Sequence, residues 1–267
     1  MGSNREVKNF WEEYSCGEKL YLNGTHKKGY EEHSLKRYQL EPYIINFLKF
    51  DLEKNSKILE IGIGLGADHQ KIAEQGYNTF GIDMTQRAID HTKNRLYQMD
   101  LKSEINIGNA ESLDFNDSFF DGIYSWGVIH HSQNPKSIIS EIHRVLKING
   151  KAKIMMYNKY SITVFMLWFR YALLKLKPWT SFLSICNKHL ESPGTKVYSE
   201  AELKLIFKRF KSIHINTVLS HADLLSSEVG QRHRGVILKI AKAIWPRKLI
   251  KIFLSKFGLF MLIELEK

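Results

Sequence analysis

Three glycines at alternate positions, directly after a short apolar run, constrain the fold of this 267-residue chain most strongly. They lie in the segment Lys57-Ile-Leu-Glu-Ile-Gly-Ile-Gly-Leu-Gly-Ala67. The apolar run predicts a buried parallel strand, because such strands are covered on both faces and read as continuous hydrophobic stretches. The glycines predict a sharp turn and a close approach of bare backbone to a ligand. A helical pattern follows over residues 67–76, so the segment predicts a strand, a ligand-binding loop and a helix.

An acidic residue ends the second apolar run. Residues 78–83 form that run, and Asp83 stands 21 positions after Gly62. A carboxylate at the end of the second strand can accept hydrogen bonds from both hydroxyls of a ribose. The glycine loop and Asp83 together predict a cofactor that carries a nucleoside.

The glycine motif alone leaves two cofactors open. Residues 62–67 fit the Gly-x-Gly-x-x-Ala fingerprint of dinucleotide sites, which would suit an NAD(P)-dependent oxidoreductase. Glu60 favours S-adenosylmethionine instead, because a carboxylate suits a cationic amino-acid group and is unfavourable beside a pyrophosphate. The chain also lacks a separable catalytic Tyr-x-x-x-Lys or a second catalytic domain, which argues against an oxidoreductase.

The downstream pattern continues to alternate strands and helices. A third strand, residues 104–108, runs into Asn109-Ala110-Glu111, a polar strand end suited to the edge of an adenine. A fourth strand begins at Phe119 and leads into a polar loop that contains paired histidines. Further strands are predicted at 151–157, 210–219 and 259–265, and helices at 86–99 (capped by Thr85), 135–147 (begun by Pro135) and 199–208 (capped by Ser199).

This order of motifs resembles the class I S-adenosylmethionine-dependent methyltransferases, and is most similar to the type 11 group that includes ubiquinone and menaquinone methyltransferases. The resemblance is strong over residues 40 to 160. It implies an α/β fold: a Rossmann-like, doubly wound, seven-stranded, mostly parallel sheet with an antiparallel C-terminal strand, plus a helical cap and insertions. We expect an N-terminal helical cap segment at 1–50 and a methyltransferase domain at 51–267, with insertions at 158–198 and 220–257.

The resemblance also implies roles for particular residues. Glu60 and the glycine loop would hold the methionine end of S-adenosylmethionine, Asp83 its ribose, and Asn109 and Ala110 its adenine. Relatives usually have Asp where this chain has Asn109, and an amide oxygen can still accept from the adenine amino group. The full predicted cofactor set is Glu60, Gly62, Gly64, Gly66, Asp83, Met84, Asn109, Ala110, Glu111 and Trp126.

Methyl transfer needs alignment of the acceptor and, for a carbon or hydroxyl nucleophile, removal of a proton. His130 and His131, in the loop after the fourth strand, are candidates for that base or for a positioning role, and Tyr38 is a third candidate. Candidate substrate contacts are Tyr14, Tyr30, His33, Arg37, Tyr157, Lys196 and Tyr198. The histidines show no metal-ligand spacing, so no structural metal is predicted.

Positive charge is concentrated in the second half of the chain. Residues 1–150 carry a net charge of −3 and residues 151–267 a net charge of +14. Two apolar segments lie in the basic half, residues 161–177 and 235–256, and the second places lysines at helical spacing. They indicate either a helical lid that packs on the sheet or an amphipathic surface that contacts an anionic membrane or covers a lipophilic acceptor.

The predicted function is transfer of a methyl group to a small-molecule acceptor, lipophilic or anionic, by a monomer or homodimer. The basic half keeps an RNA methyltransferase open as an alternative, but the chain has no Asn-Pro-Pro-Tyr motif, catalytic cysteine pair or RNA-binding module. Two distant cysteines and a polar N-terminus predict a cytoplasmic protein, with peripheral membrane contact as an option.

Overall fold

A computed structural model describes residues 4–227 and 236–267 of the chain. In these residues, seven strands form one sheet in the order β3-β2-β1-β4-β5-β7-β6. The strands are β1 (Lys57–Ile61), β2 (Asn78–Asp83), β3 (Glu104–Ile107), β4 (Phe120–Trp126), β5 (Leu146–Tyr157), β6 (Ser212–Val218) and β7 (Phe260–Glu266).

Strand β7 is antiparallel to both of its neighbours, β5 and β6, while β1 to β5 pair in parallel. The predicted mostly parallel sheet with an antiparallel C-terminal strand is therefore confirmed.

Helices occupy both faces and the N-terminal segment. The first group is α1 (Asn4–Glu13), α2 (Glu18–Tyr21), α3 (Lys27–Leu40), α4 (Tyr43–Phe47), α5 (Ala67–Ala73), α6 (Gln86–Gln98) and α7 (Pro135–Val145). The second group is α8 (Ile162–Tyr171), α9 (Phe182–His189), α10 (Glu200–Ile206), α11 (Val236–Ile244) and α12 (Arg247–Phe253).

Most predicted boundaries need small corrections. The helix predicted at 135–147 ends at Val145, because the chain enters β5 at Leu146 and pairs there with Phe120 before a bulge. The helices predicted at 67–76, 86–99 and 199–208 end earlier than expected, at residues 73, 98 and 206. The capping box of Ser199 with Glu202 is present, as is the Thr85 cap on Ala88 N–H.

Successive strand residues point to opposite faces, so the sheet has an apolar layer on each side. On β1, Leu59 joins one buried cluster and Ile58 the other. On β5, Ile154 belongs to the same cluster as Leu59, and Met155 to the same cluster as Ile58. Helix α7 packs on the first face, and α4, α8 and α9 on the second. The C-terminal ends of β1, β2 and β4 remain open between these layers and the N-terminal helices.

The predicted insertions contain α8 and α9 in the first and α11 and α12 in the second. Residues 228–235 of the second insertion, including the start of the amphipathic stretch at 235, lie outside the described residues. Among the described residues, no helix is both long and apolar enough to cross a bilayer.

Candidate active site

The loop after β1 turns the chain back toward the sheet edge through three glycines with positive φ angles, and at two of them a side chain would also clash. Gly62 has a φ of 81°, and a Cβ there would lie 2.1 Å from Val128 Cγ2. Gly66 has a φ of 74° and precedes α5, and a Cβ there would lie 2.8 Å from the hydroxyl of Thr92 on α6. Glycine is therefore required at both positions by conformation and by space. The loop fits closely between α6 and the segment after β4.

Asp83 is held in a fixed orientation at the end of β2. Its Oδ1 accepts from the backbone N–H and the hydroxyl of Thr85, at 3.0 and 2.8 Å. Its Oδ2 accepts from Gly64 N–H at 3.3 Å, which ties the carboxylate to the glycine loop. Burial raises the pKa of Asp83 and these hydrogen bonds oppose that effect. Thr85 uses both lone pairs of Oδ1, whereas Oδ2 retains one lone pair for a ribose hydroxyl.

Glu60 is buried at the end of β1 and contacts a histidine that the sequence analysis did not identify. His69 Nδ1 lies 3.0 Å from Glu60 Oε2, and His69 Nε2 lies 2.8 Å from the hydroxyl of Ser103. Ser103 donates its own proton to Thr79 O at 2.7 Å, so its oxygen accepts from His69 Nε2–H. The other ring nitrogen of a neutral His69 is then an acceptor, and Glu60 must supply the proton between them. Burial raises the pKa of Glu60, reinforced by nearby Asp68, and lowers the pKa of His69 to about 4.

A buried carboxylate in the first turn of α5 accepts hydrogen bonds from side chains of two other elements, α3 and β4. Asp68 accepts from Arg37 Nε and Nη2 at 2.8 and 2.5 Å, from Tyr38 at 3.1 Å and from Tyr124 at 2.9 Å. Burial acts to raise the pKa of Asp68, but Arg37 outweighs it and the pKa is lowered. This cluster fixes α3 against the glycine loop, because Tyr38 also donates to Ala67 O at 3.0 Å.

The predicted adenine end is a tight turn. Asn109 Oδ1 accepts from Glu111 N–H at 3.0 Å, which leaves one lone pair of the amide oxygen for another donor. Glu111 in turn accepts from the hydroxyl of Ser132 at 2.6 Å and from Asn134 N–H at 3.3 Å. The turn after β3 is therefore linked to the loop after β4.

One cavity of about 820 Å³ connects these groups. All ten residues predicted to bind the cofactor line it, from Glu60 and the glycine loop to Trp126. Of the other predicted site residues, the lining includes His33, Arg37, His131 and Tyr157. Whether each of these contacts cofactor or acceptor stays a prediction.

The remaining six predicted residues lie outside the lining, and their contacts explain why. Tyr14 faces Lys19 Nζ, 3.2 Å from its ring centre, and Tyr30 is buried between α3 and α6 beside His91 and Asn94. Lys196 donates to Ser132 O and Gln133 O at 2.7 and 2.9 Å. It therefore stabilises the loop after β4 and is not directed toward a methyl acceptor. Tyr198 pairs through its backbone with Tyr157 and Lys159.

Tyr38 is the fifth residue outside the lining. Its hydroxyl is committed to Asp68 and Ala67, and burial together with Asp68 raises its pKa well above the usual range. It is therefore poorly suited to act as a base, and its contacts indicate a structural role in the Asp68 cluster.

The two histidines after β4 have different surroundings. His130 is fully buried behind the residues that line the cavity, and its ring centre lies 3.9 Å from that of Tyr157. Burial, reinforced by His131, lowers the pKa of His130 well below its ordinary value. His131 lies on the cavity side, where its Nδ1 is 2.8 Å from Ser192 Oγ and 3.1 Å from Thr195 Oγ1. Only His131 of the pair is placed to meet an acceptor directly.

Several lining residues carry no sequence motif and were missed. Glu191 follows α9 in the first insertion, accepts from the hydroxyl of Tyr157 at 2.6 Å and has Oε2 3.4 Å from His131 Nε2. Trp11 of α1 packs edge-on against His131, with ring centres 5.6 Å apart. The apolar side of the cavity comes from α8 and α11, which the sequence marked only as hydrophobic stretches.

Comparison with known proteins agrees with this geometry. Residues 59–154 match the type 11 family of methyltransferase domains. Phosphoethanolamine N-methyltransferase 2 of Caenorhabditis elegans is 30% identical over 111 residues, which cover 41% of this chain and 25% of that protein. The chain thus spans about a quarter of the length of that relative. An uncharacterised protein of Methanocaldococcus jannaschii is 27% identical over 98% of this chain and 99% of its own length.

A solved structure of phosphoethanolamine N-methyltransferase 2 from Haemonchus contortus, in complex with S-adenosyl-L-methionine, has the same fold. The TM-score is 0.56 at 17% identity, over 85% of this chain and 51% of that one. Residues 59–154 are therefore a methyltransferase domain of the type 11 family.

Proposed function

We propose that the protein transfers the methyl group of S-adenosylmethionine to a small lipophilic acceptor held beneath its two insertions. The observation that supports this best is the continuity of the cavity, which runs from Glu60 and Asp83 at one end to α8 and α11 at the other. Its volume of about 820 Å³ is near the upper end of the range of about 300–1,000 Å³ that is usual for a ligand site. Such a volume accommodates an acceptor beside the cofactor.

The far end of the cavity has the chemistry of a lipophilic site. We call it the roof: Ile162, Phe165, Met166, Phe169 and Arg170 of α8, and Leu238, Ala241 and Trp245 in and after α11. Apolar side chains predominate, so the body of an acceptor would be stabilised by removal of its surface from water. Arg170 is the cation in this set and would suit an acidic group on the same acceptor.

The reaction requires alignment more than acid or base strength. The bond from the sulfonium to the methyl carbon breaks as the acceptor atom bonds to that carbon, and the protein contributes orientation and exclusion of water. A carbon or hydroxyl acceptor must also lose a proton. His131 and Glu191, at the cavity wall, are the groups we assign to that end of the acceptor, in preference to His130 and Tyr38.

Exposed side chains in the segments that follow α8 and α11 support delivery of the acceptor from an anionic membrane. Leu176, Trp179 and Phe253 are 83%, 79% and 73% exposed. Exposed lysines accompany them at Lys175, Lys177, Lys248, Lys251 and Lys256. Exposed apolar side chains interspersed with lysines match an interfacial amphipathic element, and each lysine near an anionic bilayer contributes about 1 kcal/mol.

Methyl-labelled S-adenosylmethionine tests the acceptor class. The protein is incubated separately with the lipid-soluble and the water-soluble fractions of a cell extract, and labelled products are identified by mass spectrometry. We expect a product one methyl group heavier in the lipid-soluble fraction only. A labelled product confined to the water-soluble fraction would contradict a lipophilic acceptor.

Flotation with vesicles tests the membrane part independently. Binding is expected to anionic but not to neutral vesicles, to weaken with added salt, and to fall in the Lys175→Gln/Lys177→Gln variant. Lys54→Gln is the matched control. Lys54 is exposed and precedes β1, so it lies near the N-terminal ends of the parallel strands, whereas the cavity opens at their C-terminal ends. Equal flotation with both kinds of vesicle, or none at low salt, would contradict this assignment.

A further inference from the structure

His130, His131 and Glu191 form a cluster at the cavity wall. In this cluster a histidine nitrogen and a carboxylate oxygen face each other as two hydrogen-bond acceptors, and a bound cation would remove their repulsion. The hydroxyls of Ser192 and Thr195 lie 2.8 and 3.1 Å from His131 Nδ1. Thr195 donates its proton to Ser192 O at 2.7 Å, so its oxygen can only accept, which favours the tautomer of His131 with the proton on Nδ1. A neutral His131 therefore has a bare lone pair on Nε2. That nitrogen faces Glu191 Oε2 at 3.4 Å, and the same oxygen already accepts from Tyr157. Two acceptors at this distance repel each other unless a positive charge lies between them.

A proton shared between His131 and Glu191 would remove the repulsion between these two residues. It would leave the ring nitrogens of His130 without a hydrogen-bond partner. Both ring nitrogens of His130 are buried without a hydrogen-bond partner, as is His131 Nε2. Buried polar atoms of this kind are rare in proteins, because each lost hydrogen bond destabilises the fold. One ligand atom from each of the three residues lies within 4.8 Å of the others. A metal ion would bind one nitrogen of each histidine and the carboxylate of Glu191 at once, which a proton cannot do.

We infer that His130, His131 and Glu191 bind a divalent transition-metal ion such as Zn²⁺ beside the acceptor end of the cavity. Two imidazoles and one glutamate are a ligand set of catalytic zinc sites, which keep a further position open. With bonds of about 2.0–2.2 Å, ligand atoms of a tetrahedral ion stand about 3.3–3.6 Å apart. The separation of 3.4 Å between His131 and Glu191 fits that edge. All three ligand atoms lie within 4.8 Å of one another, so the cluster must contract as the ion binds.

The groups around the cluster already have the arrangement of an outer shell. Ser192 and Thr195 fix the ring and tautomer of His131, and Tyr157 fixes the carboxylate of Glu191. Such outer hydrogen bonds are what orient metal-ligating histidines and carboxylates in general. The open side is the cavity, since His131 and Glu191 line it. An ion here would lower the pKa of an acceptor hydroxyl bound at its open position, so that the O–H proton would pass to water before the oxygen attacks the methyl carbon and S-adenosylhomocysteine leaves. This last step rests on the proposed methyl transfer, whereas metal binding does not.

Direct binding of Zn²⁺ and Co²⁺ to the full chain, after removal of metals with a chelator, tests the site without an activity assay. We expect about one ion per chain by dialysis and elemental analysis, and a visible Co²⁺ spectrum typical of nitrogen and oxygen ligands at low coordination number. Glu191→Gln should abolish the spectrum and weaken Zn²⁺ binding more than tenfold. Its isosteric side chain, 27% exposed in the native residue, should keep the fold. Thr195→Val should weaken binding by about 10- to 100-fold through the orientation of His131.

His214→Ala is the matched control, because His214 is exposed on β6 and touches none of these groups. It should bind Zn²⁺ as the wild type does. Absence of retained Zn²⁺ in the wild type, or equal Zn²⁺ affinity in the wild type and Glu191→Gln, would overturn the metal site. Calorimetry with S-adenosylhomocysteine on the same samples separates the two proposals. Binding of S-adenosylhomocysteine without binding of Zn²⁺ would overturn only the metal site. Binding of Zn²⁺ without binding of S-adenosylhomocysteine would overturn only the cofactor site.

Discussion

The carboxylate of Asp223 accepts both the backbone N–H and the hydroxyl of Thr163, at 3.0 and 2.7 Å. The two residues are 60 positions apart and belong to different insertions. The other oxygen of Asp223 accepts from Ser220 N–H, the Ser220 hydroxyl and Leu259 N–H, at 2.7–2.8 Å. One fully buried carboxylate thus joins the start of α8, the segment after β6 and the chain leading into β7.

Replacement of Asp223 by Ala should lower the free energy of unfolding by several kcal/mol. Three backbone N–H groups and two hydroxyls would lose their acceptor, and each buried donor left unpaired costs about 1–3 kcal/mol. Asp223→Asn keeps one acceptor oxygen and should have an intermediate effect. Chemical denaturation measures both, with exposed Asp114→Ala as the control. A loss below about 1 kcal/mol in Asp223→Ala would show that water replaces the carboxylate.

Cofactor binding should release a proton from Glu60. The buried carboxyl holds its proton toward His69 when the site is free, and its pKa is raised. The cationic methionine end favours the ionised carboxylate, so binding expels up to about one proton. Affinity should then increase as pH rises from the ordinary carboxyl range toward the raised pKa of Glu60, because the ionised form becomes more populated.

Calorimetry with S-adenosylmethionine at one pH, in buffers of different ionisation enthalpy, detects that proton. The apparent enthalpy should differ between buffers for the wild type and for exposed Glu53→Gln, but not for Glu60→Gln. Identical heats in every buffer would mean that Glu60 is already ionised before the cofactor binds.

Asp83→Ala should weaken binding of S-adenosylhomocysteine by about 10- to 150-fold. Hydrogen bonds from ribose hydroxyls to a carboxylate contribute about 1.5–3 kcal/mol, which corresponds to that range of dissociation constants. Exposed Asp90→Ala on α6 is the control and should bind normally. Unchanged affinity would remove Asp83 from the cofactor site, and tighter binding of NAD would overturn the cofactor assignment.

The histidine pair after β4 should respond unequally to mutation. His131→Ala should lower the rate of label transfer by about 10²–10⁴-fold, the usual contribution of proton removal, with little change in cofactor affinity. His130→Ala should have a smaller effect, through the position of that loop and through the loss of one ligand of the proposed ion. Wild-type rates in both variants at saturating acceptor would show that alignment alone suffices.

Local motifs predicted the fold and the cofactor end of the cavity, but not the acceptor end. The glycine loop, Asp83 and Asn109 follow strands in sequence, so parallel pairing alone brings them to one sheet edge. Glu191 and His131 are 60 positions apart and meet only through the packing of an insertion that has no motif. For Tyr38 and Lys196, the sequence showed a suitable side chain but not its direction, and the structure turns both toward internal partners.

The position of β7 has a consequence for how the chain matures. It is the last strand in sequence, yet it lies between β5 and β6. Until its residues have left the ribosome, β5 has an unpaired edge and β6 has nothing in the sheet to pair with. The backbone edge of β5 therefore stays unpaired from the synthesis of Tyr157 until β7 follows at Phe260, a period when unpaired edges are prone to aggregate. Deletion of residues 260–267 would make that immature state permanent.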